Sequence, residues 1–535
     1  MDLLLRVDPS AREPLYVQLY GGLRSSILDG RIAPGARLPS SRALAQMLGL
    51  ARNTVHGAYD QLIAEGYLET RHGSGTYVAA SLPDDALQAG PAGAPVGGPG
   101  PDSRLDGTLP SDRGSRAPWP NGTSPAVGGV ALSAWGRRVA DVPVTPYADP
   151  SPGLPYDFRH GRPDAGHFPL DAWRRVALHQ LRSLGRDDLW YGPPAGSPRL
   201  RTAIAGYLGR ARGVRCSPEQ VIVTTGTQQA LDLIARLTLD LSDPVVVEDP
   251  CYPGARRVFL ALGARVIGVP VDEQGLRVAE LPEGPIRLVY TTPSHQYPTG
   301  ATLPVSRRLE LLAWATRQGA LVIEDDYDSE FRHVGRPLEA MQGLDRAGRV
   351  AYVGSFSKVL YPALRMGYLV VPPALARVAA EAKQLADLQT ATPPQEALAQ
   401  FIEAGQFEAH LRRMRRVYRA RRAILLDALA RELGGIAEPG PSEAGLYVLV
   451  RLAPGVDEMA VARRAAQLGV AVYPAAPYYA HLVDRPGLVL GYAALDEAQI
   501  AAGIRRLARA VREAALAPCP PLPVSEKARG YSPSP

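Results

Sequence analysis

At 535 residues the chain exceeds what one ordinary core supports, so two or more domains are expected. With 46% hydrophobic and 21% charged residues, no run of 18 apolar residues and no long apolar stretch in MDLLLRVDPS, no membrane partner and a cytoplasmic chain are expected. The net charge of +6 is spread thinly, and the distant Cys216, Cys251 and Cys519 form neither a disulfide framework nor a metal pattern, so no metal is expected.

Residues 1–80 show helical periodicity broken by short turns. Leu15, Leu19, Leu23 and Ile27 recur at helical spacing, and Gly30 follows as a stop. After the turn Pro34 to Pro39, Ser40 or Ser41 can cap a helix holding Ala43, Leu44 and Met47. Gly49 breaks that helix. A second begins near Ala51, turning Val55, Tyr59, Leu62 and Ile63 to a core and leaving Arg52, Asn53, Thr54 and His56 at its exposed start. Helix, tight turn, helix is the spacing of a helix-turn-helix, whose second helix meets base edges with its first residues. Tyr67 to Val78 reads as two strands around a Gly-rich tip, a wing carrying Arg71 and His72. Eight arginines against seven acids leave the segment almost neutral, so charge alone does not separate a DNA reader from a small interaction module. The order of parts does: LPSSRALAQMLGLARNTVHGAYDQLIAEGYLETRHGSGTYV resembles the GntR-family winged helix. The resemblance implies that Arg42, Arg52, Asn53, Thr54 and the wing residues His72 and Gly73 contact double-stranded operator DNA.

Residues 81–150 are rich in Gly, Pro, Ser and Ala and read as a flexible linker. Over 151–516, short apolar runs alternate with helical segments. Val221-Ile222-Val223, Val245-Val246-Val247, Leu288-Val289-Tyr290 and Leu321-Val322-Ile323 mark the strands of a mostly parallel sheet, an α/β domain. Residues 517–535 form a Pro-rich tail.

The sharpest chemical signal lies in GSFSKVLYPALR. Only three lysines occur in the chain, Lys358, Lys383 and Lys527, in a sequence that otherwise uses arginine for positive charge. An amine at Lys358 can condense with an aldehyde cofactor, while Ser355, Ser357 and Arg365 supply hydroxyls and a charged fork for a phosphate. Three further elements join it. Ile323 to Tyr327 (IEDDY) ends a strand with carboxylates that can pair with a pyridine nitrogen, although adjacent aspartates also cap helices or bind cations. Thr224 to Gln229 (TTGTQQ) follows a strand and opens a helix, whose free amides form a phosphate cradle. Glu248 to Pro253 (EDPCYP) places Tyr252 at another strand end, where it can stack on a ring or simply pack.

Together these blocks, with YGPPAGSPRLRTAIAGYL and TPSHQYPTG, resemble fold-type I aminotransferases over about Asp157 to Arg512, and more narrowly the MocR/GabR-type branch of the GntR regulators. The resemblance implies a winged helix-turn-helix fused to a large pyridoxal 5'-phosphate domain. In it Lys358 is the Schiff-base lysine, Asp325 the partner of the pyridine nitrogen, Tyr327 a donor to the ring hydroxyl and Tyr252 the stacking residue. Thr227, Gln228, Ser355, Ser357 and Arg365 form the phosphate cup. It also implies a homodimer with swapped heads, joined head to tail.

Two departures from that pattern bear on the ligand. Tyr297 stands where such enzymes carry asparagine, leaving His295 or Gln296 to reach the ring hydroxyl. Val489 and Gly254 stand where carboxylate-binding arginines are expected. The expectation is therefore a regulator whose operator binding responds to pyridoxal phosphate or to an effector that reacts with it, controlling vitamin B6 supply. The rival is a working aminotransferase with an accessory DNA-binding domain. The run His410 to Arg422 places Leu411, Met414 and Tyr418 at helical spacing, leaving its arginines either as a solvated face or as a surface that tracks DNA.

Overall fold

The structure, a computed structural model, describes residues 13–71, 74–80, 126–127, 130–142, 153–335, 338–480 and 485–516, with residues 7, 8, 11 and 82. They fall into two compact units, one up to Pro118 and one from Trp119. Most of the stretch 81–150, the tail 517–535 and the wing-tip pair His72 and Gly73 lie outside the described residues.

In the first unit, helix α1 (Leu15–Leu28) precedes α2 (Ser41–Leu48) and α3 (Arg52–Ala64). Ser40 is the residue that caps α2, its Oγ accepting from the Ala43 amide at 3.2 Å. Gly49 closes α2 with φ 66°, a backbone that a β-carbon strains. An eight-residue helix does not hold alone in water; α2 is fixed by burying Leu44 against Leu19, Leu23, Val55 and Leu62. Strands β1 (Leu68–Arg71) and β2 (Gly75–Val78) pair antiparallel as the wing.

The second unit begins its helices with α4 (Ala134–Asp141), inside the stretch that composition reads as linker. Ser133 caps it, and Arg138 Nε donates to the Ala261 carbonyl at 2.9 Å. What holds this helix is tertiary contact, which composition does not display. Next come α5 (Leu170–Ser183), β3 (Val221–Thr224), α6 (Thr227–Thr238), β4 (Pro244–Asp249) and α7 (Pro253–Leu262). Strands β5 (Arg265–Asp272), β6 (Gly275–Leu276), β7 (Leu288–Thr291), β8 (Leu321–Asp326), β9 (Val350–Ser355) and β10 (Gly367–Val370) follow.

These eight strands lie in the order β3-β10-β9-β8-β7-β4-β5-β6. Neighbours from β9 through β5 are parallel, while β10 is antiparallel to both β9 and β3, so β3 points the same way as β9. Ile222, Val245, Val247 and Ile323 pack on one face with Leu231, Ile234 and Phe259. Val246, Val289 and Val322 pack on the other with Leu311 and Leu312. Burial on both faces explains why the strands read as continuous apolar runs rather than alternations.

The chain continues through α8 (Ala376–Asp387), α9 (Thr392–Glu403) and the long α10 (Gln406–Leu433). A smaller antiparallel sheet then forms from β11 (Ala437–Pro439), β12 (Tyr447–Leu452), β13 (Tyr473–Pro474) and β14 (Gly487–Gly491), in the order β11-β12-β14-β13. Helix α11 (Glu497–Leu516) packs on α10. No described helix is long and apolar enough to cross a membrane.

Candidate cofactor site

Strands β3, β4, β7, β8 and β9 all end at one edge of the large sheet, the edge at which open α/β sheets bind ligands. The segments leaving them line a cavity of about 270 Å³. Every cofactor residue expected from the sequence lines it: Thr227, Gln228, Tyr252, Asp325, Tyr327, Ser355, Ser357, Lys358 and Arg365.

At one end, β3 leads through Gly226 into the first turn of α6, where Thr227 and Gln228 present helix-start amides that no side chain caps among the described residues. Gly226 has φ 115°, and a β-carbon there would stand 3.1 Å from the Arg365 guanidinium. The glycine thus lets the arginine close onto the helix start. Arg365 itself has φ 50°, a left-handed backbone that a non-glycine residue adopts only at a cost of about 1–3 kcal/mol. Ser355 Oγ accepts from the Ser357 amide at 3.1 Å, bringing both serines to the same turn.

Lys358 Nζ donates to the Gly161 carbonyl at 2.8 Å. Burial pulls its pKa below lysine's usual value against the opposing charges of Asp328 and Asp325, favouring the neutral amine that attacks an aldehyde. Gly161 makes the approach possible, since a β-carbon at that φ of 75° would stand 2.7 Å from Nζ.

Asp325 is buried at 3% exposure. Its Oδ2 accepts from Tyr290 OH at 2.7 Å, and its Oδ1 has no donor among the described residues. Burial pushes the carboxyl up to about 7, with the Tyr290 bond opposing and Asp326, Asp328 and Glu248 reinforcing. A buried carboxylate oxygen without a donor costs about 1–3 kcal/mol or more. Placed in the lining of a cavity that also holds a lysine amine, two serines and an arginine, it fits the ring nitrogen of pyridoxal phosphate.

Tyr327 OH donates to the His295 carbonyl at 2.9 Å and meets Tyr447 OH at 2.7 Å. Tyr252 OH lies 3.4 Å from Gln228 Oε1. Neither of the two candidates left open for the ring hydroxyl lines the cavity. Gln296 Nε2 binds Glu248 and the Pro250 and Tyr297 carbonyls while its Oε1 accepts from Thr299, and His295 Nδ1 binds Asp328 Oδ1 at 2.9 Å. Tyr297 itself lines the cavity. Sequence reasoning missed His160, Gly161 and Asp328 in the lining and Tyr290 as the residue that orients Asp325. Tyr290 was hidden because its ring reads as one more apolar residue of a buried strand.

The chain matches the family model for class I and II aminotransferases over residues 158–507 and that for bacterial regulatory proteins of the gntR family over 15–78. The probable rhizopine catabolism regulatory protein MocR of Rhizobium meliloti is 38% identical over 512 residues, covering 94% of this chain and 95% of the relative. This chain belongs to the MocR-type subfamily of GntR regulators. The pyridoxine biosynthesis regulator PdxR of Corynebacterium glutamicum, 32% identical, covers 93% of this chain and is itself covered to 96%. Among solved structures, the α-aminoadipate aminotransferase LysN of Thermus thermophilus, complexed with a phosphopyridoxyl-leucine, superposes with a TM-score of 0.66 at 34% identity. That match covers 71% of this chain and 97% of LysN. Pyridoxal 5'-phosphate is the cofactor of this MocR-type chain. When bound, its aldehyde would supply an electrophile for an amine such as that of Lys358, and its ring an electron sink.

The winged helix of the family places Arg42 on α2 and Arg52 and Asn53 at the start of α3, all exposed, with Thr54 half-buried beside them. Arg71 on the wing is exposed, bonded to Glu69 and lying 4.5 Å over the Tyr77 ring. Along α10 the arginine run is mostly spent inward. Arg413, Arg415 and Arg422 donate to the carbonyls of His167, Glu330 and Ser442, and Arg421 pairs with Asp164 at 2.7 Å.

Proposed function

We propose that the chain is a pyridoxal phosphate-dependent transcription regulator in which the cofactor, or an effector that reacts with it, changes the operator affinity of the winged helix. The observation that carries this reading is a lysine amine held in one cavity with an unsatisfied buried aspartate oxygen, on a chain that also carries a GntR-type DNA reader. For such a switch the ligand must bind one arrangement of the molecule more tightly than another, and couplings of this kind amount to about 1–3 kcal/mol. Arg42, Arg52, Asn53, Thr54, His72 and Gly73 are assigned to the operator. The exposure of the first three supports this.

The working form is assigned as a cytoplasmic homodimer with swapped, head-to-tail heads, reading two half-sites. Leu181, Leu184, Leu189, Trp190, Tyr191 and Leu385 are exposed on the large unit, and Gly192 lies against Gln389 and Thr392, so these segments adjoin. An apolar patch of this kind favours a partner surface. The pyridoxine biosynthesis regulator among the relatives, and the apolar Val489, support the cofactor itself as effector and vitamin B6 supply as the target.

The retained Lys358 and Asp325 favour, as a second reading, an aminotransferase with an accessory DNA-binding unit. Operator affinity of the full chain, measured at fixed salt with and without bound cofactor, tests the first reading. A change of fivefold or more supports it, and equal affinities overturn it. Turnover of an amino acid with a keto acid tests the second.

A further inference from the structure

We propose that the part of the cleft beside Lys358 that lies outside the phosphate cup is a binding site for amines carrying no acid group, and that it turns amino acids away. This rests on the function proposed above and names the ligand class of that same site.

Among the described residues of this chain that line the cleft, the cations are Lys358 and Arg365. Arg365 closes on Gly226 at the phosphate cup, and Lys358 is the amine that meets the aldehyde. The remaining wall is phenolic and aromatic. His160 Nε2 lies 2.7 Å from Tyr297 OH and 3.1 Å from Tyr478 OH, and the rings of Tyr447 and Tyr473 stand edge-on to the imidazole at 6.2 and 5.5 Å. Burial lowers the His160 pKa to about 3, so the imidazole contributes no positive charge at neutral pH. Behind this layer Val489 is fully buried with Tyr297, Tyr447 and Tyr478, opposite Tyr473 across the strand pair. That space is filled by rings. Arg159, next in the chain to His160, bonds Tyr473 OH at 2.8 Å and lies near Asp157. On another side Asp328 adds an acid, tied to His295.

A carboxylate brought to this wall loses its water, meets an acid and gains no cation. An amine whose body is apolar or hydroxylated meets ring faces and hydroxyls that donate or accept. One charge-assisted contact is worth about ten- to a hundredfold in affinity, and this wall withholds it from every amino acid. The consequence for a regulator is selectivity: the cell's amino acids do not report at Lys358.

The test uses the full chain loaded with pyridoxal phosphate and freed of excess cofactor. Pairs differing by one carboxylate are titrated: phenylalanine against 2-phenylethylamine, serine against ethanolamine, 4-aminobutyrate against propylamine. Visible absorbance of the bound cofactor and the melting temperature are both read. Each amine is expected to half-saturate at a concentration at least tenfold below its amino acid, and Tyr297→Phe to weaken ethanolamine more than 2-phenylethylamine. Amino acids that bind as tightly as their amines overturn the inference and leave the proposed function standing if cofactor still alters operator affinity. A chain that acquires no visible absorbance with cofactor overturns both.

Discussion

Replacing Asp325 by asparagine is expected to have opposite effects on the cofactor-free and cofactor-bound chain. The carboxyl is buried and pushed up to about 7, whereas an aspartate in an unfolded chain titrates near 4. The folded pKa is the higher one, so the proton's contribution to stability is fully present below pH ~4 and is lost as pH rises to about 7. The interval corresponds to ~4 kcal/mol. Asparagine keeps an oxygen for Tyr290 OH and has nothing to ionise. At about 2.1 cal/mol/K per residue over a unit of about 350 residues, the full difference is a rise of roughly 5 °C in melting temperature. Cofactor-free D325N is therefore expected to melt several degrees above the parent at pH 8, and the gap is expected to close as pH falls toward 4. With cofactor the order reverses, because the amide withholds the charge that the ring nitrogen needs, and affinity falls by about ten- to a hundredfold. Scanning calorimetry across pH and a cofactor titration by absorbance read both arms. A variant less stable than the parent at every pH, or one with unchanged cofactor affinity, refutes the reasoning.

Arg365→Ala removes the one arginine lining the cleft among the described residues and is expected to weaken cofactor binding by about ten- to a hundredfold in equilibrium dialysis, with the fold's circular dichroism unchanged. Gly161→Ala puts a methyl against Lys358 Nζ and is expected to slow the appearance of imine absorbance while phosphate-end binding persists, read as competition by pyridoxine phosphate. Arg212 and Asp326 form a buried ion pair, with Arg212 also bonded to Ser294 and the Leu338 carbonyl. Arg212→Met leaves an unpaired buried acid and is expected to cost about 3–5 kcal/mol in chemical denaturation. Arg52→Ala is expected to reduce operator affinity, and a salt titration separates its roles: a slope smaller by about one marks a phosphate contact, an unchanged slope with relaxed sequence preference a base contact.

The sheet and its ligand edge were legible because burial on both faces writes strands as apolar runs and because chemistry clusters where parallel strands end. Lys358, Asp325 and the turn at Thr227 and Gln228 stand out in the sequence by residue type, and the structure gathers them in one cavity. The helix-turn-helix was equally plain, its Gly49 turn being a backbone requirement. The ligand wall was not legible. His160, Tyr297, Tyr447 and Tyr478 come from four distant segments, and nothing local marks a histidine whose partners are 137 and 318 residues away. Likewise α4 is only two turns long, lies in a stretch rich in Gly and Pro, and is fixed by Arg138 reaching a distant carbonyl, so its surroundings read as linker. The arginines of α10 looked like a charged face, yet several bond carbonyls of other segments.

The measurement closest to the central claim is made on Lys358→Ala beside the parent chain, following visible absorbance and operator affinity as pyridoxal phosphate is added. The account expects the parent to gain imine absorbance and change its affinity for DNA, and the variant to do neither while still binding DNA in the cofactor-free state. A variant that retained both responses would contradict it.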